Sequence, residues 1–127
     1  NNGMVMSFVD YVISNHEYDM VLENYLHYLL GRNALNRSYV TGFGEHAYKN
    51  PHNRPTAMDG IEDPMEGWVS GGPFSHFCDV DALRILEKGT APMKCHADHY
   101  GSYSTNEITI YWNSPFTYAC AAFSEGR

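Results

Sequence analysis

The sequence predicts an all-α domain in which long irregular loops connect a small number of helices. Apolar residues recur at helical spacing in three stretches, at 2–13, 18–30 and 116–123. Between the second and third stretches the chain is rich in Gly, Pro, His, Asn and Asp, and 32–78 keeps no sustained period. A long irregular segment inside a compact domain is uncommon and usually functional. We therefore expect the helices to form a scaffold and the loops to carry any binding chemistry.

Two helices are predicted near the amino terminus. The first covers 2–13 and the second covers 18–30, where Gly31 is a residue typical of helix C-termini. The pattern breaks at Asn15 or His16, and so short a connection predicts an antiparallel helical pair. The predicted apolar faces consist of Met4, Met6, Phe8, Val9, Val12 and Ile13, and of Tyr18, Val21, Leu22, Tyr25, Leu26, Leu29 and Leu30.

The carboxyl-terminal part of the chain gives a mixed signal. A short helix is predicted at 80–88, stopped by Gly89. Ser114 followed by Pro115 is typical of an N-cap with proline at the first helical position, and apolar residues then continue at helical spacing. Just ahead, apolar and polar residues alternate over 108–112, which predicts a short strand. A helix kinked before Pro115 is the alternative.

Composition limits the classes of protein to which the chain can belong. Its 127 residues, 43% hydrophobic and 14% aromatic, are enough for one domain with a core. A net charge of -7 and the lack of a Lys/Arg cluster argue against nucleic acid as a partner. No apolar run approaches a membrane span, and the amino terminus lacks the pattern of a signal peptide, so any export signal must lie outside this chain.

The three cysteines leave their pairing open. Cys78 and Cys95 could form a bridge, whereas Cys120 lies in an apolar helical stretch where a buried free thiol is common. Cys78, Cys95, His96 and His99 are also the residue types that bind zinc. Their spacing matches no standard zinc finger, so a zinc-stabilised fold is the less favoured alternative.

Glu107 stands at the head of the longest apolar run, where a carboxyl group can be partly dehydrated and its pKa raised. A general acid needs such an environment. On local pattern alone, however, 104–107 more readily fits a capping box, in which this carboxylate only satisfies a backbone N–H at a helix start.

Further polar residues in the loops suit a sugar site. Asp98 lies nine residues before the candidate acid, with Tyr100 and Tyr103 between them. Two carboxylates with neighbouring tyrosines can provide polar partners for hydroxyls and rings on which a sugar stacks. His52 and Arg54 lie two residues apart in a proline-bounded loop, a pattern that by itself is more typical of a surface pair.

Several motifs occur in one order along the chain. They are NYLHYLLGRN, SYVTGFGEHAYKNPHNR, GGP, and then Asp98-x4-Tyr103-x3-Glu107-x-Thr109-x3-Asn113-Ser114. This order resembles the carboxyl-terminal part of the catalytic domain of glycoside hydrolase family 9, the cellulase family, and the resemblance extends from about Tyr18 to Phe123. It implies an (α/α)6 barrel whose last part contains these helices, with the long loops at the active-site end.

The resemblance also implies roles for particular residues. Glu107 matches the general acid, and Asp98 matches the aspartate of the same signature, which makes both catalytic candidates. His52 and Arg54 match the pair that holds the sugar beside the scissile bond, and we count His52 among the catalytic candidates as well. Tyr103 matches the aromatic position of the signature and is expected to help shape the sugar site.

The activity implied by the resemblance is hydrolysis of β-1,4-glucosidic bonds in cellulose or related β-glucans with inversion. The catalytic base of the family is an aspartate in an upstream Asp-Ala-Gly-Asp stretch, which these 127 residues do not contain. We therefore expect 1–127 to be an incomplete carboxyl-terminal segment that is inactive alone and needs the upstream part of its own domain. A non-catalytic carbohydrate-binding module is the alternative from another class.

The resemblance further implies a secreted, periplasmic or cell-surface protein whose partner is a β-glucan polysaccharide or oligosaccharide. No cofactor is expected. Calcium binding is left open, because Asp59, Asp63, Asp79 and Asp81 are candidate ligands without a recognisable loop pattern.

Four positions depart from the family pattern and leave the exact substrate open. They are His46 in place of a basic or amide residue, Asn53 in place of the second His of His-His-Arg, Phe74 in place of Asn after Gly-Gly-Pro, and His96 in place of an aromatic residue.

Overall fold

The computed structural model describes residues 1–124 and confirms the all-α prediction. Across these residues the chain forms no β-strand, although three isolated bridges join the loops. The helices are α1 (Asn2–Ile13), α2 (Asp19–Leu29), α3 (Arg54–Met58), α4 (Val80–Ile85), α5 (Tyr103–Asn106) and α6 (Ile110–Ser124), with a 3-10 turn at Pro92–Lys94. None of the helices is long and apolar enough to cross a membrane within this part of the chain.

The two amino-terminal helices form as predicted. The buried Asp10 carboxylate of α1 accepts a hydrogen bond of 2.8 Å from the backbone N–H of Tyr18, which ties the connection to the start of α2. Gly3 allows close approach of the helices, because a Cβ there would lie 2.8 Å from a methyl carbon of Leu22. Gly31 follows α2 with a φ of 126°, a conformation that favours glycine, and the predicted stop is confirmed.

The predicted strand at 108–112 is wrong, and so is the N-cap at Ser114. Instead, α6 begins at Ile110 and continues through Pro115, which is an interior residue of the helix. The alternation of apolar residues does not correspond to burial, because the Ile110 side chain is 82% exposed while Trp112 is half-buried. An interior proline costs a helix about 3 kcal/mol. Tertiary contacts of the first turn of α6 therefore outweigh the local preference.

The capping box at 104–107 is also wrong. Glu107 is the extended residue that follows α5, and Ser104 lies inside that helix. The reason is a long-range contact: the Asp79 carboxylate accepts a hydrogen bond of 3.1 Å from the Ser104 backbone N–H. Since another carboxylate already satisfies this end of α5, Glu107 is not needed there.

Asp79 also determines where α4 starts. Its side chain accepts a hydrogen bond of 2.6 Å from the backbone N–H of Ala82 and is the N-cap of the helix. The helix ends at Ile85, three residues before the predicted end, because Leu86 adopts an extended conformation. Gly89, the predicted stop, lies beyond this end with a φ of 92°.

Most of the buried side chains belong to loops. Tyr39, Val40, Tyr48 and Val69 are almost completely buried, although none of them is in a helix. Backbone hydrogen bonds connect the loop segments, for example from Tyr39 N to Leu29 O at 2.7 Å and from Ser70 N to Tyr39 O at 3.0 Å. The polar residues Ser38, Thr41, Ser70, His96, Ser102, Thr105 and Asn106 are buried among them.

All three cysteines are free thiols. The bridge that the sequence left open between Cys78 and Cys95 is not formed, because Cys78 is exposed and Cys95 is buried with its thiol directed at the carbonyls of Thr90 and Ala91. Cys120, expected to be buried, is exposed on α6.

Candidate active site

Glu107 is held by its backbone between two loop segments. On one side it forms a parallel bridge with His52, whose N–H donates to the Asn106 carbonyl at 2.9 Å. On the other side the Gly71 N–H donates to the Glu107 carbonyl at 3.1 Å, next to an antiparallel bridge between Ser70 and Ile108. The backbone that carries this carboxylate is therefore fixed from both directions.

The Glu107 side chain contributes to the wall of an open pocket of about 460 Å³. The residue is exposed in this chain, so the partial dehydration expected from its place at the head of an apolar run is not observed, and no hydrogen bond or ion pair engages its carboxylate within 1–124. Aromatic residues from three places in the chain line the same pocket, and these are Phe74, Tyr103 and Trp112. A carboxylate surrounded by aromatic rings in an open pocket suits a polar ring-shaped ligand.

His52 lies beside this pocket with its ring fixed. Its Nδ1 is 2.6 Å from the carbonyl oxygen of Tyr100. The ring centroid is 5.4 Å from that of Tyr100 and 6.0 Å from that of Tyr103. The structure therefore brings together three residues that the sequence singled out, namely His52, Tyr103 and, through the backbone bridge, Glu107.

Arg54 is the first residue of α3, two residues beyond His52. Asn53, which replaces the second His of the family motif, is the N-cap of this helix and accepts a hydrogen bond of 3.2 Å from the Thr56 N–H. Arg54 is exposed, and its guanidinium has no hydrogen bond or ion pair with any residue in 1–124. It is therefore free to bind a ligand.

Asp98 does not line this pocket and instead binds backbone groups of another loop segment. Its carboxylate accepts hydrogen bonds from the backbone N–H groups of Lys49, at 3.1 Å, and Asn50, at 2.8 Å. Arg37 lies 3.7 Å from it on another side. The Asn50 carbonyl in turn accepts a hydrogen bond of 2.5 Å from the Asn106 amide. Asp98 thus joins the segment that leads into His52 to the segment that leads into Glu107.

Comparison with known proteins decides the family. The family model described as Glycosyl hydrolase family 9 matches residues 1–120. The chain belongs to this family. A cellodextrinase of Butyrivibrio fibrisolvens is 52% identical over 122 residues, which are 96% of this chain and 22% of the relative.

Solved structures of family 9 share the fold. AaCel9A in complex with cellobiose-like isofagomine is 44% identical, with a TM-score of 0.73 over 78% of this chain and 19% of that one. A zinc-binding triple mutant of the family 9 endoglucanase J30 is 32% identical, with a TM-score of 0.82 over 98% of this chain and 23% of that one. These neighbours are (α/α)6 barrels, so the helices described here form part of such a barrel. The chain spans about a fifth of the length of these relatives.

Asn113 in the first turns of α6 has a role that the sequence analysis missed. Its amide oxygen accepts from the Val69 N–H at 2.9 Å, and its amide nitrogen donates to the Val69 carbonyl at 3.2 Å and to the Thr109 carbonyl at 2.8 Å. Val69 is buried and precedes the Ser70–Gly71 segment that contacts Glu107. The family 9 signature contains this Asn, but only the structure shows the groups that it pairs.

Asp79 connects two short helices, α4 and α5. Besides the N–H groups of Ala82 and Ser104, its carboxylate accepts from the hydroxyls of Ser102, at 3.2 Å, and Ser104. Burial opposes ionisation of this carboxyl, but the hydrogen bonds from Ser104, Ala82 and Ser102 outweigh it and lower the pKa. Because α5 leads directly into Glu107, Asp79 helps to determine where the candidate acid lies.

His96 is a buried histidine in the loop core. Its ring packs edge-on against Tyr39 and Tyr48, with centroids 5.0 and 6.1 Å away, and its Nε2 is 3.1 Å from the Ser70 hydroxyl. Burial, followed by the charge of Arg37, lowers the pKa of His96 to about 4. The ring is therefore neutral at pH 7. The neutral ring packs against the two tyrosines as an aromatic side chain would.

The residues considered as zinc ligands do not form a metal-binding cluster in the described part of the chain. Within 1–124, no group of three or more His, Cys, Asp or Glu side chains is arranged to hold a metal ion. Of the calcium candidates, Asp63 lies 3.1 Å from the Lys49 ammonium, and Asp79 is occupied by its N–H and hydroxyl donors. His99, offered as a zinc ligand, lies instead 3.6 Å from Asp81.

Proposed function

We propose that this chain, residues 1–127, is the carboxyl-terminal segment of the catalytic domain of an inverting β-1,4-glucan hydrolase and contributes its general acid. Two relatives support the class of substrate, since one is named a cellodextrinase and another binds a cellobiose-like isofagomine. The observation that carries the proposal is the Glu107 carboxylate, exposed in an aromatic-lined pocket while its backbone is fixed between His52 and Gly71.

In the proposed reaction, protonated Glu107 donates its proton to the glycosidic oxygen as the bond from that oxygen to the anomeric carbon breaks. A water molecule attacks the anomeric carbon from the opposite face and gives its proton to a second carboxylate. In inverting enzymes the two carboxyl groups are about 6.5–9.5 Å apart, which leaves room for the water. The reaction uses only water and protons, so the proposal requires no cofactor.

The base belongs, in this proposal, to a part of the protein outside these 127 residues. Asp98 is the other carboxylate of the family signature, and its oxygens accept hydrogen bonds from the backbone N–H groups of Lys49 and Asn50. We therefore assign Asp98 to positioning the loop that carries His52. His52 and Arg54 would bind sugar hydroxyls, and Tyr103 would shape the sugar site from the pocket wall.

The test is Glu107→Gln in the full-length protein, with Glu87→Gln as the matched control on an exposed residue away from the pocket. Loss of a general acid should lower kcat about 100- to 10,000-fold on cellodextrins while glucan binding persists, because the amide keeps the shape without the acidic proton. Aryl glycosides with good leaving groups should lose much less. An equal and modest loss on both kinds of substrate would contradict the assignment.

A second test uses the 127-residue chain alone. We expect no hydrolysis of soluble cellulose derivatives or cello-oligosaccharides above background in a reducing-end assay, because a lone acid cannot activate the attacking water. The Glu107→Gln form of the same chain is the blank. Turnover that disappears in this blank would place a base within the 127 residues, with Asp98 the first candidate.

We also propose that the protein is secreted, periplasmic or on the cell surface, because a polymeric glucan substrate lies outside the cytoplasm. Fractionation of the source cells with an antibody against this chain tests it, and a signal confined to the cytosolic fraction would contradict it.

A further inference from the structure

Two buried polar atoms, Nδ1 of His96 and Oδ1 of Asn106, have no hydrogen-bond partner within 1–124. Burial lowers the pKa of His96, and the charge of Arg37 lowers it further. The charge of Asp98 and a contact with the Asn106 side chain act in the opposite direction and raise this pKa. A hydrogen-bond partner raises the pKa of an imidazole by accepting, and the acceptor of an asparagine side chain is its oxygen, so the two unpaired atoms face each other.

The other ring nitrogen of His96 contacts a serine hydroxyl. Nε2 lies 3.1 Å from Oγ of Ser70, which also accepts from the Gly72 N–H at 3.1 Å and lies 3.2 Å from the Thr105 carbonyl oxygen. A hydroxyl has one hydrogen, so Ser70 donates either to that carbonyl or to Nε2. In the first case the ring is the Nε2–H tautomer, and the lone pair of Nδ1 faces the lone pairs of the Asn106 oxygen, which is repulsive. In the second case Nδ1 carries the hydrogen and donates to Asn106, so both unpaired atoms gain a partner.

The orientations of the ring and of the amide are both fixed. The amide nitrogen of Asn106 donates to the Asn50 carbonyl at 2.5 Å, so a flip of the amide would break that bond. The His96 ring packs edge-on against Tyr39 and Tyr48. The Nδ1–H tautomer is therefore the neutral form in which the ring nitrogens and the Asn106 amide are all paired.

We propose that His96, in the Nδ1–H tautomer, is a positioning residue for Glu107. Its Nδ1–H donates to the side chain of Asn106, the residue that precedes the acid. Its Nε2 accepts from Ser70, which precedes Gly71, and the Gly71 N–H donates to the Glu107 carbonyl at 3.1 Å. One buried ring thus joins the two segments that hold the backbone of the acid. The inference rests on the proposed function, because the position of Glu107 affects turnover only if Glu107 transfers a proton.

The tautomer is measured directly by nitrogen NMR on the full-length protein labelled with ¹⁵N-histidine. At pH 7.5 the His96 ring should show hydrogen on Nδ1 and none on Nε2, with its resonances identified by their loss in His96→Phe. A hydrogen on Nε2 would overturn the proposal. This measurement needs no substrate, so its outcome does not depend on the reaction that the protein catalyses.

Two substitutions test the positioning in the full-length protein. His96→Phe keeps a ring against the tyrosines but removes both hydrogen bonds, whereas His96→Gln carries one donor and one acceptor and can restore them. We expect His96→Phe to lower kcat on cellotetraose about tenfold with little change in KM, because a displaced acid is a poor proton donor. An aryl glycoside with a good leaving group needs less protonation and should lose about twofold or less. His96→Gln should recover most of the rate on cellotetraose.

A variant in the same buried cluster separates positioning from general destabilisation. Tyr39→Phe keeps the ring contact with His96 and removes a buried hydroxyl that has no hydrogen-bond partner within 1–124. It should leave the rates on both substrates unchanged. Equal losses of His96→Phe on the two substrates, or no recovery in His96→Gln, would overturn the inference. If His96→Phe does not fold, Ser70→Ala removes the donor to Nε2 instead and is judged by the same two substrates.

Glu107→Gln, measured on the same two substrates, distinguishes failure of this inference from failure of the proposed function. If Glu107→Gln loses no more rate on cellotetraose than on the aryl glycoside, the proposed function fails, and the inference fails with it. If Glu107→Gln shows the selective loss but His96→Phe does not, only the positioning role of His96 is overturned.

Discussion

The three longest helices and the loops bury their side chains to opposite extents. In α1 the buried residues are Gly3, Ser7 and Asp10, while Phe8 and Tyr11 are 56% and 75% exposed. The loops, in contrast, bury whole tyrosines such as Tyr39 and Tyr48 at 1% exposure or less. The segments without regular structure therefore contain most of the fully buried side chains of the described chain.

This difference shows what holds the candidate site in place. Loop segments have no helical ladder, so their buried backbone groups need other partners. Asp79, Asp98 and Asn113 supply them by bonding backbone N–H or carbonyl groups of segments distant in sequence. The helices satisfy their own backbone, and the apolar side chains that they expose here are expected to pack against the rest of the barrel. Within the described chain, the position of the site should thus depend mainly on a few polar side chains in the loops.

The largest effect is expected at Asn113. Asn113→Ala leaves the N–H and carbonyl of buried Val69 without partners, at about 1–3 kcal/mol for each group. We expect the urea midpoint of the full-length protein to fall accordingly, and kcat to fall with it because the Gly71 segment loosens. Ser114→Ala, an exposed neighbour in the same helix, is the control and should change little. Equal effects of the two would refute the idea that loop anchors dominate.

A pH-dependent effect is expected at His96. Its folded pKa of about 4 lies below the ordinary value of 6.5, so the unfolded chain binds the proton more readily between these values. The stabilisation is complete above pH 6.5 and is lost as the pH falls toward 4, by up to about 3 kcal/mol. Denaturation midpoints from pH 7.5 to 4 should fall more steeply in the native protein than in His96→Phe, which cannot titrate. Parallel curves would show that His96 does not contribute.

The outcomes at 104–115 show how far local sequence could determine this structure. The helices at 2–13 and 19–29 follow from apolar spacing and from Gly31, which are local signals. The capping box and the short strand failed because Asp79, 25 residues before Ser104, and Asn113, 44 residues after Val69, bond groups that local patterns assign otherwise. No pattern within a ten-residue window contains such pairs. The family motifs named His52, Tyr103 and Glu107 as site candidates, but their mutual placement required the loop pairings.

A smaller effect is expected at Asp98. Asp98→Asn keeps the size of the side chain but turns one acceptor into a donor facing the N–H groups of Lys49 and Asn50, with a cost of about 1.5–3 kcal/mol. If Asp98 positions the loop, kcat should fall while the pH dependence of kcat keeps its shape. Loss of one limb of that pH profile in Asp98→Asn would instead make Asp98 a proton-transfer group. The kinetics of the full-length protein between pH 4 and 9 decide between these roles.

The smallest effect concerns the exposed face of α1. In the 127-residue chain alone, Phe8→Ser and Tyr11→Ser should each change the free energy of unfolding by no more than about 0.5 kcal/mol, because these side chains have little burial to lose. The same substitutions should reduce self-association, since exposed apolar patches promote contact between copies. Sedimentation of the native and doubly substituted chains at several concentrations measures this directly. If instead either substitution destabilised the monomer as much as Asn113→Ala does, α1 would contribute as much to the fold as the loop anchors. The contrast between the two regions would then be one of exposure alone and not of stability.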